Sequence, residues 1–209
     1  MSLYDYLKAN FKNDGEPILT SELPCSSKGY LRQQLKELVD QGKLWRFMPG
    51  IYYLPFKNSM NKDGFIKFFL IYQKKYLNNK NKIFGYMTRF SLYNDWQFST
   101  QVPYVPQICT NNTSCDRLVT IGKSKYLLYK PRTIISNENV NELQFLDLME
   151  NLFTMTEVRG EEMDIRLQIY LEENEIDFCR VKELICFYPA KNKIIQNMEK
   201  VGLQYLINS

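Results

Sequence analysis

An α+β fold is predicted for this 209-residue chain by three observations. Residues 17–55 carry, in order, a short helical run, an amphipathic helix and two β-prone runs on either side of Pro49-Gly50. A polar stretch at 58–64 follows. Beyond it, helical periodicity and short β-prone runs are mixed. This pattern predicts a winged helix-turn-helix at 1–57, a linker at 58–64 and a mixed α/β domain at 65–209.

Each element has a local reason. Residues 18–23 read as a short helix with Thr20 as its N-cap. Pro24-Cys25-Ser26-Ser27 is a tight connection, and Ser26 or Ser27 can cap the next helix through its hydroxyl. Leu31, Leu35 and Leu38 repeat at i, i+4, i+7, which predicts a helix with one apolar stripe, and Gly42 ends it. Residues 44–48 and 51–54 then form a hairpin, the wing. In the second domain, 64–77 is expected as a helix with Phe65, Phe69, Tyr72 and Tyr76 on a core stripe and Lys67, Lys74 and Lys75 outside it. A second helix is expected at 82–93. Strands are expected at 105–110, 117–121 and 126–130, the last two joined as a hairpin. Residues 139–153, 161–172 and 190–207 have helical periodicity, whereas 181–188 fits helix or strand.

The exposed face of the 28–40 region supplies the candidate site. Lys28, Arg32, Gln33 and Lys36 fall away from the leucine stripe, with Ser27 at the helix start. Arg and Gln side chains pair with purine edges in the major groove, while Lys suits phosphates. Lys43 and Arg46 flank the wing, in reach of backbone or minor groove. The bland alternative is that any surface helix carries such residues; the ordered set of elements around it favours duplex DNA.

Composition narrows the function classes. There is no histidine, which removes the commonest general base and transition-metal ligand. There is no glycine-rich phosphate loop, and the five cysteines lack zinc spacing. Acidic runs at Glu161-Glu162-x-Asp164 and Glu172-Glu173-x-Glu175-x-Asp177 fit a solvated helix face better than a Mg2+ site. Cys109 and Cys115 have no neighbouring activating base. A non-enzyme without metal or cofactor is expected. The odd cysteine count without a Cys-x-x-Cys pair, the lack of a leader-like start and the shortness of the longest apolar run predict a cytoplasmic protein. Net charge is +2 over 1–60, +9 over 61–135 and −7 over 136–209. That contrast fits a self-complementary fold, an extended nucleic-acid footprint or a charged protein partner.

Leu19-Thr20-Ser21-Glu22-Leu23, Leu31 to Leu38, Gly42-Lys43-Leu44 and Met48-Pro49-Gly50-Ile51-Tyr52-Tyr53-Leu54-Pro55 resemble the N-terminal domain of the AbiEi family. These are antitoxins of type IV, abortive-infection, toxin–antitoxin systems. Phe84-Gly85-Tyr86 through Leu92, then Thr100-Gln101-Val102-Pro103 and Ile108-Cys109-Thr110-Asn111, is similar to the start of that family's second domain. The resemblance covers about residues 2–135. It departs at Pro49, where the family has a basic residue, so that Arg46 takes over that contact. It departs again at Ser91-Leu92 and Asp95, where the family has Ala-Leu and glycine. What the resemblance implies is an autorepressor of its own operon that antagonises a nucleotidyltransferase-like toxin encoded nearby, without a stable complex. Two other functions remain open: a transcription regulator whose second domain senses a ligand or dimerises, and a single-stranded RNA-binding module using the aromatic and lysine surface of 65–93. A homodimer on half-sites is compatible with all the DNA-binding readings.

Overall fold

A computed structural model describes residues 2–24 and 27–203. The chain is mixed α+β and divides into two compact units, Met1–Lys75 and Tyr76–Ser209. Among the described residues no helix is long and apolar enough to cross a membrane.

The first unit opens with α1 (Leu3–Asn10), whose N-cap Ser2 accepts from the Asp5 amide. β1 (Ile18–Leu19) and a 3-10 turn (Thr20–Glu22) follow, then α2 (Lys28–Asp40), β2 (Trp45–Met48) and β3 (Ile51–Tyr53). The sheet order is β1-β3-β2, antiparallel throughout. The hairpin expected around Pro49-Gly50 is present, with Gly50 at φ +81°, the left-handed position that this turn requires. Its strands are clamped by the cross-strand edge-on pair Trp45–Tyr53 at 5.5 Å. The leucine stripe of α2 is buried with Leu7, Phe11, Ile18, Leu44, Tyr52 and Leu54. Gly42 at φ +67° ends that helix, and the Lys43 amide donates back to the Leu38 carbonyl.

The helix expected at 18–23 does not form. Ile18 and Leu19 pair with Tyr52 and Ile51, and only one 3-10 turn follows. Leu23 precedes Pro24, which disfavours α geometry, and it is extended. Thr20 is therefore not an N-cap; the Leu19 amide is satisfied instead by the Glu22 carboxylate at 2.8 Å.

Residues 58–64 are not a free linker between units but belong to the first. Gly64 donates to the Phe56 carbonyl and Lys67 to that of Gly15. The expected helix at 64–77 reduces to α3 (Phe68–Tyr72) and a π-helical turn at Gln73–Leu77. Its aromatic stripe is broken: Ile66, Ile71 and Tyr76 are buried, while Phe65 and Phe69 are 83 % and 57 % exposed. Lys74, expected outside, is instead largely enclosed, 2.6 Å from Glu16, 3.8 Å from Glu22 and 3.0 Å from the Pro17 carbonyl.

The second unit contains the short pair β4 (Asn78–Asn79) and β5 (Lys82–Ile83), then β6 (Gly85–Met87), α4 (Arg89–Asp95), β7 (Gln107–Thr110), β8 (Arg117–Ile121) and β9 (Ser124–Tyr129). Four helices complete it: α5 (Val140–Met155), α6 (Glu161–Asn174), α7 (Phe178–Leu184) and α8 (Lys191–Lys200). The four-stranded sheet runs β6-β7-β9-β8, with β7 and β9 parallel. The helix expected at 82–93 is replaced by two strands and the shorter α4. Gly85 explains the strand: a Cβ there would stand 2.0 Å from the Tyr76 carbonyl oxygen and 2.8 Å from that of Cys109, so only glycine lets these backbones meet. The β8–β9 hairpin is as expected, and the ambiguous 181–188 segment is helical, α7 continuing into a 3-10 turn. α8 ends at Lys200, with Gly202 at φ +72°, short of the expected 207; residues 204–209 lie outside the described residues. α5 buries Leu143, Phe145, Leu146, Leu148, Met149 and Leu152 and is the spine of this unit's core.

The packing of 58–75 into the first unit predicts that a fragment ending at Lys75 unfolds cooperatively, whereas one ending at Lys57 melts at a lower temperature. Lys74→Ala in the full chain should cost about 1–3 kcal/mol by removing the cation shared by the Glu16 and Glu22 carboxylates, which still accept from the Lys12 and Leu19 amides, read by urea denaturation.

Candidate nucleic-acid interface

Burial of Leu31, Leu35 and Leu38 sets the rotation of α2, and the rotation sets where its charges point. Lys28, Arg32 and Lys36 recur every four residues, about 6 Å apart along the axis, on the flank beside the hairpin. With Arg46 of β2 they line one groove of about 950 Å3. Its apolar floor is Leu31, Val39 and Tyr52, and Thr20, Ser21, Pro49 and Gly50 shape the remaining edge. The β2–β3 register shifts between Arg46 and Met48; Arg46 joins the groove, whereas Phe47 packs edge-on against Phe68 at 5.4 Å.

Four of the seven residues expected at the site thus come together. The other three do not. Gln33 is exposed and donates to the Glu37 carboxylate at 3.1 Å. Lys43 stands 5.5 Å from the Tyr4 ring, on the α1 side. Ser27 occupies the N-cap position of α2 with extended backbone, but its hydroxyl makes no cap bond; the alternative cap, Ser26, lies outside the described residues. Thr20, Ser21 and Asp40 are part of the groove and were not expected there. The first two arrive because β1 pairs with β3 and Thr20 donates to the Gly50 carbonyl at 3.0 Å. Strand pairing over two residues leaves no periodicity from which to read it.

A second polar cluster lies in the other unit. The Asp147 carboxylate on α5 accepts from Thr88 at 2.6 Å, Tyr188 at 2.9 Å and Tyr86 at 3.1 Å. Burial pushes its carboxyl above the ordinary range, a shift that the three hydroxyls partly offset. The Tyr188 hydroxyl has one proton for two acceptors, Asp147 Oδ1 and the Leu143 carbonyl at 3.1 Å. A small cavity of about 60 Å3 adjoins, lined also by Arg89, Cys109, Lys130, Arg132 and Glu150. Arg89 adopts φ +50°, rare for a side-chain-bearing residue, with its guanidinium 4.4 Å from the Tyr129 ring centre. Burial raises the Cys109 thiol, which leaves it a poor thiolate.

At the end of the second acidic run, Asp177 caps α7 by accepting from the Cys179 and Arg180 amides, and its own amide donates to Glu142. Among the described residues no cluster of acidic or cysteine side chains has metal-binding geometry.

No protein-family model matches the chain, and no curated protein is similar to it.

Asp147→Asn should separate the buried carboxyl from its charge. A carboxyl raised on folding contributes stability below its unfolded value and loses it as pH rises through the folded value. The Asn variant, able to accept from Thr88 and donate to Tyr188, should match wild type in acid and become relatively more stable as pH climbs above the ordinary carboxylate range. Melting temperatures across that series test this; a constant difference would contradict it.

Proposed function

We propose that the chain is a duplex-DNA-binding antitoxin. Its first unit acts as a winged helix-turn-helix: α2 is the recognition helix, the β2–β3 hairpin is the wing, and the middle helix of the motif is reduced to the turn Thr20–Glu22. The carrying observation is the convergence of Lys28, Arg32, Lys36 and Arg46 on one groove. Cations at a spacing of about 6 Å suit successive phosphates of one strand, and the exposed outer face of α2 is free to meet base edges. The antitoxin part rests on the resemblance to AbiEi proteins: repression of its own operon, and antagonism of a nucleotidyltransferase-like toxin encoded nearby without a tight complex.

A second reading has its own observation. The exposed rings of Phe65 and Phe69 offer stacking surface for unpaired bases, so the single-stranded RNA module stays in contention. Competition between a duplex from the chain's own promoter and single-stranded RNA of equal length separates the two.

If the groove holds phosphates, alanine at Lys28, Arg32, Lys36 and Arg46 together should flatten the slope of log K against log[salt] by about four units, roughly one per contact. Lys43→Ala, beside Tyr4 rather than in the groove, should leave the slope unchanged. In growth-rescue assays with the adjacent toxin, residues 76–209 should protect cells and residues 1–75 should not. Rescue by the first fragment alone would instead assign neutralisation to promoter repression.

A further inference from the structure

Among the described residues nothing requires Gly29 to be glycine. It sits in the first turn of α2 at ordinary helical geometry rather than positive φ. A Cβ added there would meet nothing closer among the described residues than the Ser27 hydroxyl oxygen at 3.9 Å, so no packing excludes a side chain. Glycine is less favourable in a helix than alanine, because the unfolded chain gives up more conformational freedom. A helix therefore keeps a destabilising residue at a solvent-exposed position. Around it, Lys28, Tyr30, Arg32 and Gln33 are all long and exposed, which makes Gly29 a notch in the surface.

The charge along α2 points to what fills the notch. From Lys28 to Lys36 the helix carries three cations and no acid; Glu37 and Asp40, both exposed, are confined to its last turn. Gly29, Gln33 and Glu37 form the outer ridge at i, i+4, i+8, and Gln33 holds the Glu37 carboxylate. A polyanion lying along this ridge is attracted at the amino-terminal half and repelled at the carboxy-terminal end.

We infer that Gly29 is the point of closest approach of bound duplex DNA, where the nucleic acid touches the backbone of α2 between Lys28 and Arg32 while the Glu37–Asp40 end lifts away. The inference rests on the DNA-binding reading. It makes Gly29 a positioning residue at which helix stability is given up for contact.

The test uses the full chain and a duplex spanning the promoter upstream of its own gene. Gly29→Ala should raise the melting temperature yet weaken duplex binding about tenfold, and Gly29→Leu should weaken it further at an unchanged or higher melting temperature. Opposite effects on stability and affinity distinguish lost contact from damaged folding. Wild-type affinity in both Gly29 variants, while Arg32→Ala binds more weakly, would overturn the inference and leave the DNA-binding reading standing. Absence of duplex binding by the wild-type chain would remove that reading, and the inference with it.

Discussion

Three leucines on one face of α2 govern the first unit. Leu31, Leu35 and Leu38 enter the same core as Ile18, Leu44 and Tyr52, which fixes the helix against the β1-β3-β2 sheet at a single rotation. Burying such side chains contributes about 1.5–3 kcal/mol each, more than any exposed charge can offset. The positions of the cations follow from that burial rather than from their own interactions. Lys28, Arg32 and Lys36 sit on the flank nearest the hairpin because the helical period places them there once the leucines are inside.

The hairpin completes the arrangement. Phe47 packs on Phe68 while its neighbour Arg46 lines the groove with α2, at the point where the β2–β3 register shifts. The same logic ties residues 58–75 to this unit. Lys67 with Asp14, and Lys74 with Glu16 and Glu22, join chain segments more than fifty residues apart, and Ile66 and Ile71 of the same stretch are buried. The partly enclosed Lys74 pairs have stronger coupling than surface ion pairs, because solvent screens them less.

In the second unit, the organising element is α5. Six of its residues enter the core, and Asp147 on the same helix gathers hydroxyls from β6, from the start of α4 and from the segment after α7. A buried carboxyl that meets three hydroxyls specifies one arrangement of those elements, since any shift leaves polar groups unsatisfied. Tyr93 lies in the same core, its hydroxyl donating to the Leu148 carbonyl.

Strong local signals carried through from sequence to structure. α2 with its leucine stripe, the Pro49-Gly50 turn, the β8–β9 hairpin and the helices α5, α6 and α8 depend on periodicity or on a backbone preference within a few residues. The cationic face of α2 was legible for the same reason. Tertiary structure decided the rest. Ile18 and Leu19 became strand because β3 offered hydrogen bonds and Pro24 denied the helix its continuation. Gly85 became strand because two backbones meet where only glycine fits. Phe65 and Phe69 stayed in solvent because Ile66 and Ile71 took the core face of that segment. Gln33 and Lys43 left the groove for partners at Glu37 and Tyr4, while Thr20 and Ser21 entered it through strand pairing. Spacing along a chain fixes which face a side chain shares within one element; which elements share a groove depends on long-range pairing, and a single sequence carries no periodic trace of that.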